Sequence, residues 1–119
     1  PKKYYDNNSS EAQKKIKNIS SYYKDIATLA KFETVDKTVE NCMAVEAKLA
    51  HLFWTPEKNH EIKNIHNPTT YSKLNTMMSN LDLDGYFKVM DYPEVERLNV
   101  YQPSYIEAFN RLFKEIPLL

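Results

Sequence analysis

Ser9 to Ala30 reads SSEAQKKIKNISSYYKDIATLA. Within it Ala12, Ile16, Ile19, Tyr23, Ile26, Ala27 and Ala30 recur mainly at steps of four and three, which places them on one stripe of an α-helix. A first long helix of roughly 20 residues is therefore expected. Thr34 to Asp36 supply start signals for a second, whose apolar face carries Val39, Cys42, Met43, Leu49, Ala50 and Phe53. Pro56 ends it near Trp54, because the residue before a proline is driven out of the helical region. With only Phe32-Glu33-Thr34 between them, the two helices are expected to fold back as an antiparallel hairpin.

Working outward, the later chain is cut into shorter pieces. Glu57 to Ile65 is compatible with a short helix, and Asn67-Pro68-Thr69-Thr70 reads as a turn leading into an N-cap. A short helix from Tyr71 to about Ser79 should follow, presenting Leu74, Met77 and Met78 to one side. Asp82 can cap another, through Tyr86, Phe87, Val89 and Met90. Asp91 to Arg97 is an acidic loop containing Pro93, and Leu98-Asn99-Val100-Tyr101 alternates like an extended segment. Pro103, at a first-turn position, opens a last helix with Tyr105, Ile106, Phe109, Leu112, Phe113 and Ile116 on its face. The fold class expected is all-α: a helical bundle led by a long antiparallel helix pair, then short helices, one extended segment and a C-terminal helix, in a single domain over residues 1–119.

Composition narrows the function classes. Sixteen Lys and Arg balance sixteen Asp and Glu in 119 residues, so the field that draws a protein onto nucleic acid or an anionic membrane is missing. A lone cysteine, Cys42, excludes an internal disulfide framework and any zinc site built on two thiolates, and its apolar neighbours suggest a core position. A single glycine, Gly85, argues against the phosphate-binding loops of nucleotide enzymes, which need positive φ or close backbone approach. No segment reaches the roughly 18 uncharged apolar residues of a membrane span. The chain opens on Pro1 and closes on Ile116-Pro117-Leu118-Leu119, an apolar end that suggests a piece of a longer protein.

Four patterns invite a chemical reading. His60-Glu61 followed by His66 resembles a zinc-peptidase helix, but six residues rotate the second imidazole about 240° away from the first, and ligation from one face needs a spacing of four. Asn80, Asp82 and Asp84 before Gly85 mimic the opening of a calcium loop. Its twelfth position, however, is Asp91 rather than glutamate, and the ninth is Lys88. Helix capping by Asp82 accounts for the same residues without an ion. Glu46 interrupts the apolar stripe of the second helix, where a charge is costly unless paired. With no second carboxylate or histidine at helical spacing it reads as a buried anchor bonded to a tyrosine, a basic side chain or backbone amides rather than as a catalytic acid. Finally, Asn7-Asn8-Ser9, Asn8-Ser9-Ser10 and Asn18-Ile19-Ser20 match the glycosylation sequon, which in so Asn- and Ser-rich a chain weighs little.

Taken in order, several of these pieces have a counterpart. Val45-Glu46-Ala47-Lys48-Leu49-Ala50 resembles the hydrophobic-Glu-x-x-Leu-Ala of a long helix in the neprilysin-like zinc endopeptidases, particularly the bacterial endopeptidase O type. His66-Asn67-Pro68-Thr69-Thr70 running on to Leu74 is similar to that family's Tyr-Asn-x-x-Thr-x-x-x-Leu. Ser79-Asn80-Leu81-Asp82-Leu83 with Tyr86-Phe87 resembles the next capped helix, and Val100-x-x-Pro103-x-Tyr105-Ile106 the extended segment entering the last one. Tyr4-Tyr5 and Tyr22-Tyr23 also fit. His66 replaces the usual Tyr, Gly85 stands where an aromatic is frequent, and the Arg-Asp pair common before the Tyr-Asn turn is absent.

The resemblance implies a role by position. In that family a helical lobe faces a thermolysin-like catalytic lobe across an internal cavity that admits short peptides, and the zinc site, His-Glu-x-x-His with a downstream Glu, lies in the C-terminal half. None of those residues is present here, so the resemblance assigns this chain no catalytic, cofactor-binding or metal residue. Zinc is expected in the catalytic domain of the parent. The partners implied are that catalytic domain and peptide substrates, with no nucleic acid and no membrane contact. The implied compartment is the bacterial cytoplasm, a membrane-anchored extracellular parent being the alternative. A freestanding helical interaction module, using the apolar last helix as a groove element, is the competing reading.

Overall fold

The computed structural model describes all residues except Pro1, Asn7, Pro93, Glu94, Leu118 and Leu119, so the expectation placed on the Leu118-Leu119 end lies outside the described residues. The chain divides into two compact units, Pro1–Phe53 and Trp54–Leu119.

In the first unit a short helix α1 (Lys2–Tyr5) precedes the two long ones, α2 (Ser10–Leu29) and α3 (Val35–Leu52), and all three pack on one another. Ser9 starts α2, its Oγ accepting the backbone N–H of Ala12 at 3.2 Å. Ala12 and Ala27 of α2, with Val39 and Ala50 of α3, are the residues most deeply buried. Small residues at these positions let the helices approach closely. The edges of the expected stripes are more open: Ile26 is 44% exposed, Phe53 43%, and Ala30 is exposed. Cys42, expected in the core, is exposed as well. It sits three residues from Val39, on the flank of the α3 stripe rather than on its centre.

The end of α2 is closed without glycine. Phe32 N–H donates to Ala27 O and Lys31 N–H to Thr28 O, both at 3.0 Å, and Lys31 takes φ 60°. This is a Schellman turn with lysine in the left-handed position, a conformation that costs an L-residue about 1–2 kcal/mol. Lys31→Gly should therefore stabilise the chain by about 0.5–1 kcal/mol, because relief of the strain exceeds glycine's added entropy cost. A thermal melt at or below that of the parent sequence would contradict this.

The second unit contains α4 (Pro56–His60), α5 (Ile62–Ile65), β1 (Pro68–Thr70), α6 (Tyr71–Met77), α7 (Leu83–Val89), β2 (Arg97–Asn99) and α8 (Pro103–Glu115). Two helices thus replace the single one expected between Glu57 and Ile65, divided at Glu61, whose backbone is extended. The turn expected at 67–70 is instead a strand, pairing antiparallel with β2 in the register Pro68↔Asn99, Thr69↔Leu98, Thr70↔Arg97. Its exit was read correctly: Thr70 Oγ1 accepts the N–H of Lys73 at 3.2 Å and caps α6. The core is Leu74, Leu83 and Val100, with Tyr71, Met78, Phe87, Leu98 and Ile106 packed around it. Asn110 of α8 is buried among these elements, its Oδ1 accepting Asn80 N–H at 2.8 Å while its backbone oxygen accepts Asn80 Nδ2 at 2.9 Å. At the start of the unit, Trp54 N–H donates to Gln102 Oε1 at 3.1 Å and Trp54 Nε1 to Ser104 Oγ at 2.7 Å, tying the chain's entry to the first turn of α8.

Candidate functional site

The residues singled out in the sequence fall into three separate places. The first is Glu46, on α3. Its carboxylate accepts a hydrogen bond on each oxygen, from the Tyr5 hydroxyl of α1 and the Tyr23 hydroxyl of α2, so one acid ties three helices. It is half-buried rather than fully buried. Burial and the bond to Glu46 push the Tyr5 hydroxyl well above its ordinary value, and the bond to Glu46 raises Tyr23. A carboxylate with both oxygens engaged is a fastener.

One turn further on, the same helix end is plugged by Lys2. Its Nζ donates to Ala50 O at 3.0 Å and His51 O at 3.1 Å, two of the carbonyls that α3 leaves unpaired, and it pairs with Asp6 at 3.0 Å. Asp6 also meets His51 Nδ1 at 2.5 Å, and the bond from Lys2 is the main cause that holds the Asp6 carboxyl below the usual carboxylate range. Neither Lys2 nor Asp6 was expected to matter. Their partners lie more than forty residues away, and only the turn between α2 and α3 brings them near.

The second place is the histidine pair. His60 ends α4 and His66 follows α5, so the two never share a helix face. Among the described residues no group of three or more His, Cys, Asp or Glu gathers to hold a metal ion.

The third place is the segment from Asn80 to Asp91, where the structure favours the cap over the calcium loop. Asp82 Oδ1 accepts Gly85 N–H at 2.9 Å, at the third position of α7. A side chain at 85 would bring its Cβ within 2.8 Å of the Asp82 Cγ, so the glycine that departs from the family pattern makes room for the capping carboxylate. Asp84 accepts from the Tyr71 hydroxyl, and that bond is the main cause that pushes Tyr71 up to about 12. Asp91, the supposed last calcium ligand, instead occupies the left-handed position after α7 with φ 52°; Tyr92 N–H donates to Phe87 O at 3.1 Å and Asp91 N–H to Lys88 O at 3.2 Å. The same turn that ends α2 thus recurs.

Around this third place lies a groove of about 1000 Å³, floored by Tyr71, Phe87 and Tyr92. Asp84, Lys88, Asp91 and Glu96 also line it. Phe87 meets Tyr71 at 5.6 Å and 67° and Tyr92 at 5.8 Å and 63°, edge-to-face arrangements that hold the rings in fixed relative orientation. Beneath it, Tyr71 N–H donates to Glu96 O at 3.1 Å, joining the start of α6 to the approach to β2.

The Asn67 turn explains one of the quoted motifs. Asn67 N–H donates to Asn99 Oδ1 at 2.7 Å, its carbonyl accepts Val100 N–H at 3.1 Å, and its Nδ2 donates to Val100 O at 3.0 Å and to Asn64 O. Asn99 Nδ2 returns a bond to Ile65 O at 2.9 Å. In Asn-x-x-Thr-x-x-x-Leu, then, Asn67 locks the end of the strand pair, Thr70 caps α6 and Leu74 enters the core.

One family matches along the whole chain: the N-terminal model of peptidase family M13 aligns with residues 1–119, and the chain belongs to that family. Its fold is that of a region of the Mycobacterium tuberculosis zinc metalloprotease ZMP1. With the open state the TM-score is 0.88 at 20% identity, covering 98% of this chain and 18% of that one. With the inhibitor complex the TM-score is 0.87 at 20% identity, with the same coverage. The chain thus spans under a fifth of the length of these structures. No curated protein matches the sequence.

Proposed function

We propose that this chain is the core of the helical lobe of a zinc-dependent endopeptidase of the endopeptidase O type, contributing a wall of the substrate cavity and no catalytic or metal-binding residue. In this reading residues 1–119 act as one structural domain, the zinc is held by the catalytic domain of the same parent chain, and the substrates are short peptides. The observation that carries it is the family match over all 119 residues, together with the share, under a fifth, that the chain covers of the ZMP1 chains. The surface supports the same conclusion. Leu29 and Val89 are 83% and 85% exposed, and among the described residues no side chain is less than 2% exposed. Apolar surface on this scale asks for further protein to cover it. No described helix is long and apolar enough to cross a membrane, and the bacterial cytoplasm is the compartment proposed.

The test is to read the gene beyond the codon for Leu119 and to assay the product. The expected result is a His-Glu-x-x-His downstream, chelator-sensitive cleavage of short peptides by the long product, and none by residues 1–119 alone. A reading frame that closes without that motif, or chelator-sensitive cleavage by the 119-residue chain itself, would overturn the proposal and favour the freestanding interaction module.

A further inference from the structure

We infer that the groove formed by the start of α6, α7 and the approach to β2 binds a peptide through a cationic side chain, arginine or lysine. The inference rests on the peptidase reading only in taking a peptide as the ligand. Three features carry it. The first is size: about 1000 Å³ is at the upper end for a small-molecule pocket and suits a stretch of extended chain. The second is the aromatic floor. Phe87 stands at 67° to Tyr71 and at 63° to Tyr92, so the rings are not parallel and can meet a cation and the carbons that carry it from more than one direction.

The third is charge. The chain as a whole is neutral, yet among the described residues Asp84, Asp91 and Glu96 line the groove with one cation, Lys88. Asp84 is already oriented by the Tyr71 hydroxyl, and neither Asp91 nor Glu96 forms an ion pair among the described residues. Among the described residues these carboxylates form no group of three that could hold a metal ion, and an organic cation complements them. A guanidinium or ammonium group lying over the rings would meet three acids against one lysine among the described lining residues.

The experiment titrates the 119-residue chain with the capped peptide Ala-Ala-Arg-Ala-Ala and with its Glu counterpart, following backbone amide shifts by NMR. The expected result is saturable binding of the arginine peptide, with shifts centred on Tyr71, Lys88 and Glu96, and at least tenfold weaker binding of the glutamate peptide. Raising the salt concentration should weaken the arginine complex. An Asp91→Asn, Glu96→Gln double variant should bind the arginine peptide at least tenfold more weakly. Asparagine tolerates the left-handed position, and an unchanged melting temperature verifies that the fold is intact. Equal binding of the two peptides, unaltered affinity in a folded double variant, or no response at millimolar arginine peptide would overturn the inference. So would a groove that responds in this chain but is silent in the longer gene product, since its occupant would then be a segment of the parent itself. None of these outcomes touches the peptidase assay, so either proposal can fail without the other.

Discussion

Replacing Glu46 by alanine is expected to lower the stability of the chain by about 2–3 kcal/mol, since two hydrogen bonds to a charged acceptor are lost and each is worth roughly 1.5–3 kcal/mol before discounting for partial exposure. In a chain of this size that corresponds to a fall in melting temperature of about 10 °C. A fully buried ion pair would cost more, roughly 3–5 kcal/mol on removal of one partner, but Glu46 is only half-buried and its partners are neutral tyrosines. Glu46→Gln retains one acceptor and should lose about half as much. The pH dependence has a definite sign. The hydroxyls of Tyr5 and Tyr23 are raised in the folded chain, so their contribution is complete below the ordinary tyrosine value of about 10 and is lost as pH rises through the folded values. The native sequence should therefore weaken in alkali more steeply than Glu46→Ala. A Glu46→Ala chain that melts within a degree or two of the native one would mean that the carboxylate is solvated and the three helices are held by packing alone.

The second large effect is expected at Asn67. Asn67→Ala removes the two bonds donated by Nδ2 and leaves the Val100 carbonyl short of a partner at the edge of the core, a loss of about 2–3 kcal/mol. Asn67→Asp keeps the shape and removes the donors, so it should cost at least as much; if the aspartate variant were as stable as the native chain, the donors would not be the cause. Hydrogen exchange at the Val100 amide, which is bonded to Asn67 O, reports the same event locally and should accelerate in both variants.

These two residues mark where the sequence was legible. Helical periodicity, proline positions and N-caps are local signals, and they located α2, α3, α6, α7 and α8 to within a few residues. Glu46 stood out because a charge on an apolar stripe needs a partner, and a tyrosine was among the partners named, although which tyrosines those were depended on two other helices. The pairing of β1 with β2 left no comparable trace: each strand is three residues long, and the partners lie 27 to 31 positions apart in the chain. Lys2, Asp6 and Asn110 look like ordinary surface residues when read singly. Their roles come from backbone atoms that are distant in sequence, a free helix end for Lys2 and the Asn80 peptide for Asn110. Cys42 failed for a different reason, since counting apolar neighbours along a helix does not reveal how many other helices are available to cover it. The groove was equally hidden, because Tyr71, Phe87, Tyr92 and Glu96 come from two helices and a loop and show no shared period.

The anchoring of α1 bears on the order in which the first unit is assembled. Lys2, Tyr5 and Asp6 reach partners on the last turns of α3 across separations of 41 to 49 residues, and those partners come within reach of α1 only when α2 and α3 have closed on each other. The hairpin is the low-contact-order step, formed by contacts that zip outward from the turn at residues 30–34, whereas the docking of α1 has to close the longest loop in the unit. Folding should therefore run from the turn toward the open end of the hairpin, with α1 as the clasp fastened last. By the same logic α1 should be the first part to let go when the unit is pulled or warmed.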